Sequence, residues 1–216
     1  MKNQFYYQIE VTDEQVTFAN ALVEYSLLHH PVANIWDKKE DKKTKTKEYR
    51  FTGSLGEVVF ADLYGQPRKT KAFGAIDGQD FGNDFQLVIN ELVQIIDTKA
   101  MQRKSGVFYK NYVLNIPASQ LLRKNSLTDQ YYCISFHQKE SKWIASVLGF
   151  ISKYDILEGK IGVLYKANTS RIRADGTSFQ FNEDTYEVDF QDITSPLLSD
   201  FIKKKNNFKI KKLLSV

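Results

Sequence analysis

The sequence predicts an α/β (α+β) protein in which a central mixed β-sheet is flanked by helices and followed by a β-rich C-terminal extension. The first observation behind this prediction is a series of apolar residues at helical spacing that begins after Thr12. The second is a pair of short strands, rich in Val, Ile and Leu, that meet at Asn90-Glu91. The third is a succession of further strand-like runs between residues 109 and 190.

The composition is that of a folded domain. The chain has 216 residues, of which 42% are hydrophobic, and this is enough to bury a substantial core. No apolar run approaches the roughly 18 to 20 residues of a membrane span, and residues 1–4 do not lead into a signal-peptide core. We therefore expect a cytoplasmic protein with no membrane association. The single cysteine, Cys133, excludes an intrachain disulfide and a thiolate metal cluster.

The first helix is predicted from about Thr12 to His30. Thr12 and Gln15 have the spacing of a capping box, in which each side chain binds a backbone N–H of the other residue. Pro31 ends the helical pattern. The charged stretch 38–47 is predicted to be a solvated loop.

The second helix is predicted from about Thr52 to Tyr64. Its apolar residues leave little polar surface, and Gly53 and Gly56 allow it to approach a sheet closely. Glu57 is therefore a carboxylate on a crowded helix, which favours a place in an active site. The alternative is that Glu57 lies at a partly exposed edge or pairs with a nearby lysine.

The hairpin over residues 83–99 organises the chain. A two-residue turn at Asn90-Glu91 places position 84 opposite position 97, so Asp84 and Asp97 become cross-strand neighbours. Lys99 projects from the same side of its strand as Asp97. Like charges directly opposite each other destabilise a sheet, so we expect a cation there, and a divalent ion with oxygen ligands suits two aspartates. A shift of one residue would move Asp84 to the other face.

The loop that enters the hairpin, residues 73–83, is rich in Gly and Asp. It contains neither a phosphate-binding loop nor a dinucleotide fingerprint. Asp77 and Asp80 remain as alternative acidic residues if Asp84 is not the one that faces Asp97.

Beyond the hairpin, strands are predicted near 109–116, 130–137 and 142–152, with a short helix from Pro117 to Leu122. We expect residues 1–156 to form the core and residues 157–216 to form the β-rich extension, within the same domain. Short strands in the extension are followed by a predicted final helix over 194–205 and a basic tail. The predicted short strands are 161–165, 170–173, 178–181 and 186–190.

Two basic clusters stand out against a net charge of only +4. One lies between Lys38 and Arg50, and the other comprises the six lysines between 203 and 212. Both clusters can bind phosphates through counterion release. Basic loops and tails are also common on proteins that bind no nucleic acid.

Asp84 followed by Asp97-Thr98-Lys99 resembles the motif of the PD-(D/E)XK superfamily, the restriction-endonuclease-like nucleases. That motif places an Asp on one strand, then an acidic residue, any residue and a Lys on the next. Asn83 stands where the name of the motif has Pro. A bare Asp-x-Lys is a weak signal, so the surrounding segments carry much of the resemblance.

Those segments extend the match over roughly residues 50 to 156. Residues 53–61 resemble the upstream Gly-x-x-Gly-Glu helix of the superfamily, whose Glu joins the site. Gln120 and the strand over 147–151 fit the downstream part, and 153–155 resembles the short acidic turn that usually follows.

The resemblance implies a restriction-endonuclease-like core and an Mg²⁺-dependent endonuclease that hydrolyses phosphodiester bonds in DNA, with Mn²⁺ as a substitute ion. Lys99 would orient and help to deprotonate the attacking water, and Gln120 would point its amide at the site. The implied ligands of the ion are Asp84, Asp97, the Thr98 carbonyl and Glu57, the last through water or to a second ion.

Two other functions remain open. The chain can be a DNA-binding module of the same fold that does not cut, or a structural or partner-binding α/β protein whose Asp-Lys pair is a buried salt bridge. Many enzymes that cut duplex DNA are dimers, so a homodimer is compatible with the sequence, which carries no signal for it.

Overall fold

The computed structural model describes residues 4–29, 43–70, 83–172 and 178–215. The fold is α+β, with a mixed central sheet and helices, as the sequence predicts. In chain order the elements are β1 (Phe5–Glu10), α1 (Asp13–His29), α2 (Lys43–Tyr64), β2 (Phe85–Ile89), β3 (Leu92–Gln102), β4 (Val113–Pro117), α3 (Ala118–Leu121), β5 (Gln130–Lys139), β6 (Lys142–Ser152), α4 (Lys153–Leu157), β7 (Val163–Tyr165), β8 (Ser170–Ile172), β9 (Ser178–Gln180), β10 (Thr185–Asp189), α5 (Asp200–Lys205) and β11 (Lys209–Lys212).

The central sheet has six strands in the order β11-β1-β6-β5-β3-β2. The pairing of β3 with β5 is parallel, and the other neighbours in this sheet are antiparallel. A second sheet has the order β4-β10-β7, and β8 pairs with β9. Because β10 pairs with β4 and β11 with β1, residues on both sides of position 156 share sheets.

The two faces of the central sheet bury different cores. The helix face packs against α1 and α2 and includes Ile96, Ala100 and Tyr132. The opposite face includes Met101, Tyr131 and other side chains that pack with β4, β10 and the loops beside them. Successive residues of β3 therefore alternate between two separate environments.

The N-terminal capping box is confirmed at the start of α1. The Thr12 backbone N–H donates to Gln15 Oε1 at 3.0 Å, and the Gln15 N–H donates to Thr12 Oγ1 at 3.2 Å.

Among the residues that the structure describes, no helix has both the length and the apolar character needed to cross a membrane.

Helix α2 begins nine residues earlier than the sequence predicts, at Lys43 instead of Thr52. The predicted loop over 38–47 is therefore wrong for residues 43–47, and residues 38–42 lie outside the described part of the chain. Residues 43–52 contain no Gly or Pro and include three Lys, one Glu and one Arg, which favour helix without adding apolar periodicity. The predicted end is confirmed, because Gly65 follows the helix with φ +63°.

The C-terminal segment differs most from the prediction. The final helix expected over 194–205 covers only Asp200–Lys205, because Thr194 exchanges two backbone hydrogen bonds of 2.8 Å with Phe150. The expected basic tail contains β11, which pairs antiparallel with β1. The lysines there belong to the edge of the central sheet.

The strands in the middle of the chain agree well with their predicted positions. β5 and β6 confirm the strands expected over 130–137 and 142–152. The strand expected over 109–116 starts only at Val113, because the Tyr112 N–H closes a turn onto the Tyr109 carbonyl at 3.0 Å.

Gly56 sets the distance between α2 and β3. A Cβ atom at this position would lie 2.7 Å from the Ala100 Cβ, whereas one at Gly53 would have nothing within 4 Å. We expect Gly56→Ala to lower the free energy of unfolding by about 1–3 kcal/mol, because the helix has to move away from the strand. Gly53→Ala should raise it by about 0.5–1 kcal/mol, because alanine is the better helix former.

Urea unfolding of the two variants measures this difference, with Gly53→Ala as the matched control. Adding Ala100→Gly to Gly56→Ala should recover part of the loss, since it removes the colliding methyl group. A Gly56→Ala variant as stable as the parent would show that the contact does not fix the position of α2.

Candidate functional site

The predicted hairpin register is confirmed. Asn90 and Glu91 both have positive φ, 51° and 67°, as a two-residue turn of the primed type requires. Phe85 pairs with Ile96, so position 84 lies opposite position 97. The turn forms although Glu disfavours positive φ, which shows that pairing of the apolar strands dominates the preference of one turn residue.

Asp84 lies directly before β2 and binds the neighbouring strand through its side chain. Its Oδ2 accepts hydrogen bonds from the Thr98 backbone N–H and the Thr98 hydroxyl, both at 2.7 Å. Its own N–H donates to the Ile96 carbonyl at 3.0 Å. The Asp84 side chain is only 7% exposed. The Asp84 side chain therefore hydrogen-bonds to the edge of β3 directly before β2 begins to pair with that strand. These contacts fix the position of the carboxylate.

Glu57 and Asp84 share a cation, the ammonium of Lys69. The Lys69 Nζ lies 2.7 Å from Asp84 Oδ1 and 3.3 Å from Glu57 Oε2. Glu57 comes from the middle of α2, and Lys69 lies shortly after that helix ends at Gly65. Two carboxylates distant in sequence thus converge on one positive charge next to β3.

Asp97 and Lys99 form a second group. Lys99 Nζ lies 2.7 Å from Asp97 Oδ1 and 2.8 Å from Oδ2, as expected for residues two apart on one strand. Tyr131 pairs with Asp97 across the parallel β3–β5 ladder, and the Lys99 Nζ lies 5.5 Å from the centroid of its ring. Burial, and secondly the charge of Asp97, raise the pKa of Tyr131, so its hydroxyl stays protonated.

The Tyr131 hydroxyl is buried without a hydrogen-bond partner among the residues that the structure describes. A buried hydroxyl without a partner is destabilising and is rare in folded proteins. The group formed by Asp97, Lys99 and Tyr131 therefore contains a polar atom that a water or a ligand can satisfy.

The register places position 84 opposite position 97, but the prediction that the Asp84 and Asp97 side chains share one patch is wrong. Asp84 lies before β2 begins, and its carboxylate turns onto Thr98 and Lys69, whereas Asp97 binds Lys99. Thr98 and Ala100 project to the helix face, with Asp84 bound to Thr98. Asp97 and Lys99 project to the opposite face, where Tyr131 lies. Within the described ranges, no three His, Cys, Asp or Glu side chains are grouped closely enough to hold a metal ion.

Gln120 lies on α3, and its side chain is exposed. It forms no hydrogen bond with any described residue, and α3 extends from β4 of the second sheet. The alternative acids Asp77 and Asp80 fall in the segment 71–82, outside the described residues.

A cavity of about 450 Å³ opens beside Asp84. Residues 66–70 and 83–86 line it, among them Arg68 and Lys69. The Arg68 guanidinium binds Asp62 at 2.7 Å and Glu14 at 2.8 Å, and these contacts raise its pKa, chiefly through Asp62. The volume lies within the range of small-molecule pockets.

Sequence reasoning missed two residues of the site, Lys69 and Tyr131. Lys69 follows α2 as part of the basic pair Arg68-Lys69, which is a signal of charge but not of position. Tyr131 becomes a neighbour of Asp97 only through the parallel pairing of β3 with β5, a long-range contact that local patterns do not encode.

Comparisons with models of protein families, with curated proteins and with solved structures find no match for this chain. The geometry described above is therefore the basis for assigning a function.

Proposed function

We propose that the chain is an Mg²⁺-dependent deoxyribonuclease with a restriction-endonuclease-like core, which hydrolyses phosphodiester bonds in DNA. The observation that carries the proposal is the Lys69 ammonium shared by Glu57 and Asp84. It identifies a position beside β3 where two carboxylates already bind one cation. The Asp97-Lys99 pair lies on the same strand, one residue from the Thr98 contacts of Asp84.

The available ligands suit a hard divalent ion. Glu57 and Asp84, which already converge on Lys69, would bind Mg²⁺ through oxygen atoms together with the Thr98 carbonyl, which is the ligand type that this ion prefers. Asp97 projects to the other face of β3, so it would join them only after its carboxylate leaves Lys99 and turns toward them. The bound ion would stabilise the charge that develops on the scissile phosphate. Lys69 competes with the ion for Glu57 and Asp84, so metal binding requires that its ammonium move away.

Lys99 would act on the attacking water. Its ammonium is held by both carboxylate oxygens of Asp97, so its direction is fixed. A positioned Lys can orient a water molecule and exchange a proton with it, which is the general acid-base contribution of the site. The cavity beside Asp84 gives room for a group of nucleotide size, and Lys69 on its wall would provide a positive charge for a phosphate once a metal ion displaces its ammonium from Glu57 and Asp84.

A structural role is the second candidate, and one observation favours it. Lys69 and Lys99 already neutralise Asp84 and Asp97, so these carboxylates do not need a metal ion for the fold to be stable. In that case Lys69 ties α2 to the start of the hairpin through Glu57 and Asp84, and the Asp97–Lys99 pair neutralises charge within β3. A DNA-binding module that does not cut would keep the DNA binding of the first candidate but would lack its metal-dependent cleavage.

Cleavage and metal binding separate these functions. We expect the purified chain to cut at least one form of DNA, offered as supercoiled, linear, single-stranded and branched molecules, in millimolar Mg²⁺ or Mn²⁺ but not in EDTA. Asp84→Asn should abolish cleavage and weaken Mn²⁺ binding measured by calorimetry. Asp200→Asn is the matched control, because Asp200 is 92% exposed on α5.

Each alternative gives a different result. Binding of DNA without cleavage by the parent would support the non-cleaving module. A chain that binds neither DNA nor metal, and whose melting temperature is unchanged by millimolar Mg²⁺ or Mn²⁺, would support the structural role.

A further inference from the structure

Among the described residues, five lysines that form no ion pair are clustered in α5 and β11. The lysine edge comprises two residues at the end of α5 and three in β11, all of them exposed. None of the five forms an ion pair with any residue in the described ranges. These residues are Lys204, Lys205, Lys209, Lys211 and Lys212.

Of the other exposed lysines that the structure describes, four have carboxylate partners, and Lys104, Lys124 and Lys139, which form no ion pair with a described residue, are spread along the chain. Lys47 binds Glu24, Lys166 binds Asp184, and Lys142 and Lys160 also have carboxylate partners. Residues 201–216 contain no Asp or Glu, so these lysines have no acidic neighbour within their own segment. The lysine edge is therefore a surface on which the positive charge is left available.

Protection of a sheet edge explains only part of this pattern. β11 is the last strand of the central sheet, and lysines on edge strands discourage pairing with other chains. Lys204 and Lys205, however, lie on a helix, where no strand edge needs protection. A polyanion accounts for both sets, because only three residues separate the end of α5 from the start of β11 and one bound strand would attract the cations of both elements.

The lysine edge lies level with the candidate site. One row of paired residues crosses the sheet from β11 to β3, and Ala100 at its end is the neighbour of Lys99. The row consists of Ile210, Tyr7, Val147, Ile134 and Ala100. Four strand spacings separate β11 from β3, which corresponds to about 19 Å. Phosphates along one DNA strand repeat every 3.4 Å of helix axis, so this distance spans about six nucleotides.

We propose that the lysine edge binds the phosphate backbone of the same DNA molecule that enters the site, about six nucleotides from the cleaved bond. This inference rests on the proposed nuclease function, because the second point of contact with the DNA is the proposed cleavage site beside β3. The substrate then crosses the molecule from β3 to β11. DNA that is shorter than about six nucleotides on that side of the cut cannot reach the lysines.

The test replaces lysines without breaking strand pairing. The triple variant Lys209→Gln, Lys211→Gln, Lys212→Gln keeps the backbone hydrogen bonds of β11, and the double variant Lys204→Gln, Lys205→Gln leaves β11 untouched. The control is a triple variant with the same change in net charge at three paired lysines elsewhere. It consists of Lys47→Gln, Lys142→Gln and Lys166→Gln.

Binding to a duplex of about 20 base pairs is measured in EDTA over a range of salt concentrations. Each phosphate contact contributes about 0.9 to the slope of log affinity against log salt, so the triple variant should reduce the slope by roughly 2.7 and the double variant by roughly 1.8. The control should leave the slope nearly unchanged. On a duplex with only about three base pairs beyond the cut, the parent and the triple variant should bind equally.

The outcomes distinguish this inference from the proposed function. If the parent cuts DNA but neither lysine variant changes the slope while both stay folded, the inference is overturned and the nuclease stands. If the slope falls but the parent does not cut, the lysine edge binds DNA and the nuclease function is overturned. A parent that binds no DNA at low salt overturns both.

Discussion

Lys99→Ala should lower the turnover of DNA cleavage by about 10² to 10⁴, the contribution of general acid-base catalysis, while DNA binding persists. The reason is that Lys99 is the ammonium nearest to Asp97 and is fixed by two contacts of 2.7 and 2.8 Å. Removing it takes away the group that orients the attacking water. Single-turnover kinetics with saturating enzyme measure the chemical step directly.

The matched control for this variant is Lys142→Ala. Lys142 also binds a carboxylate, that of Glu10, but both side chains are more than half exposed at the other end of the sheet. The control should cut like the parent. If Lys99→Ala cuts a substrate at the parental rate, Lys99 has no catalytic role and the site assignment is wrong.

Asp97→Asn should abolish cleavage and, in EDTA, bind DNA more tightly than the parent by up to about tenfold. Without metal, the negative charges of Glu57, Asp84 and Asp97 repel a phosphodiester, and Lys69 and Lys99 offset them only in part. Two unit charges about 4 Å apart interact by roughly 4 kcal/mol at an effective dielectric near 20, and salt reduces this further. A tenfold change in affinity corresponds to about 1.4 kcal/mol, well within that limit.

The structural role predicts a different outcome for the same variant. Asp97 and Lys99 are only 13% and 21% exposed, so removing one charge of a merely structural pair should destabilise the fold by about 3–5 kcal/mol. DNA binding would not tighten. Measuring the melting temperature together with affinity in EDTA separates the two functions, and a large fall in melting temperature with unchanged or weaker binding would contradict the nuclease site.

The sequence was sufficient for features that local patterns determine. The capping box of α1, the turn at Asn90-Glu91 and the placement of Asp84 opposite Asp97 all follow from spacing within short segments. The early start of α2 was missed because residues 43–52 favour helix by propensity without apolar periodicity.

The candidate site was predictable only in part, because its contacts are long-range. Strand alternation places Asp97 and Lys99 together, and this follows from the sequence. The same alternation separates them from Thr98 and the helix face, but the sequence alone does not say which face α2 covers. Lys69 joins Glu57 to Asp84 through tertiary structure, so no spacing rule could have found it.

The position of β1 has a consequence for the order in which the chain folds. β1 is the first strand, yet it lies between β6 and β11, whose residues follow it by more than 130 and about 200 positions. Such non-local pairing slows folding, because long loops must close before the contacts form. During synthesis, β1 has neither partner until β6 is made, and one of its edges stays unpaired until residues 209–212 emerge. We therefore expect nascent chains that stop before β11 to expose this edge and to aggregate.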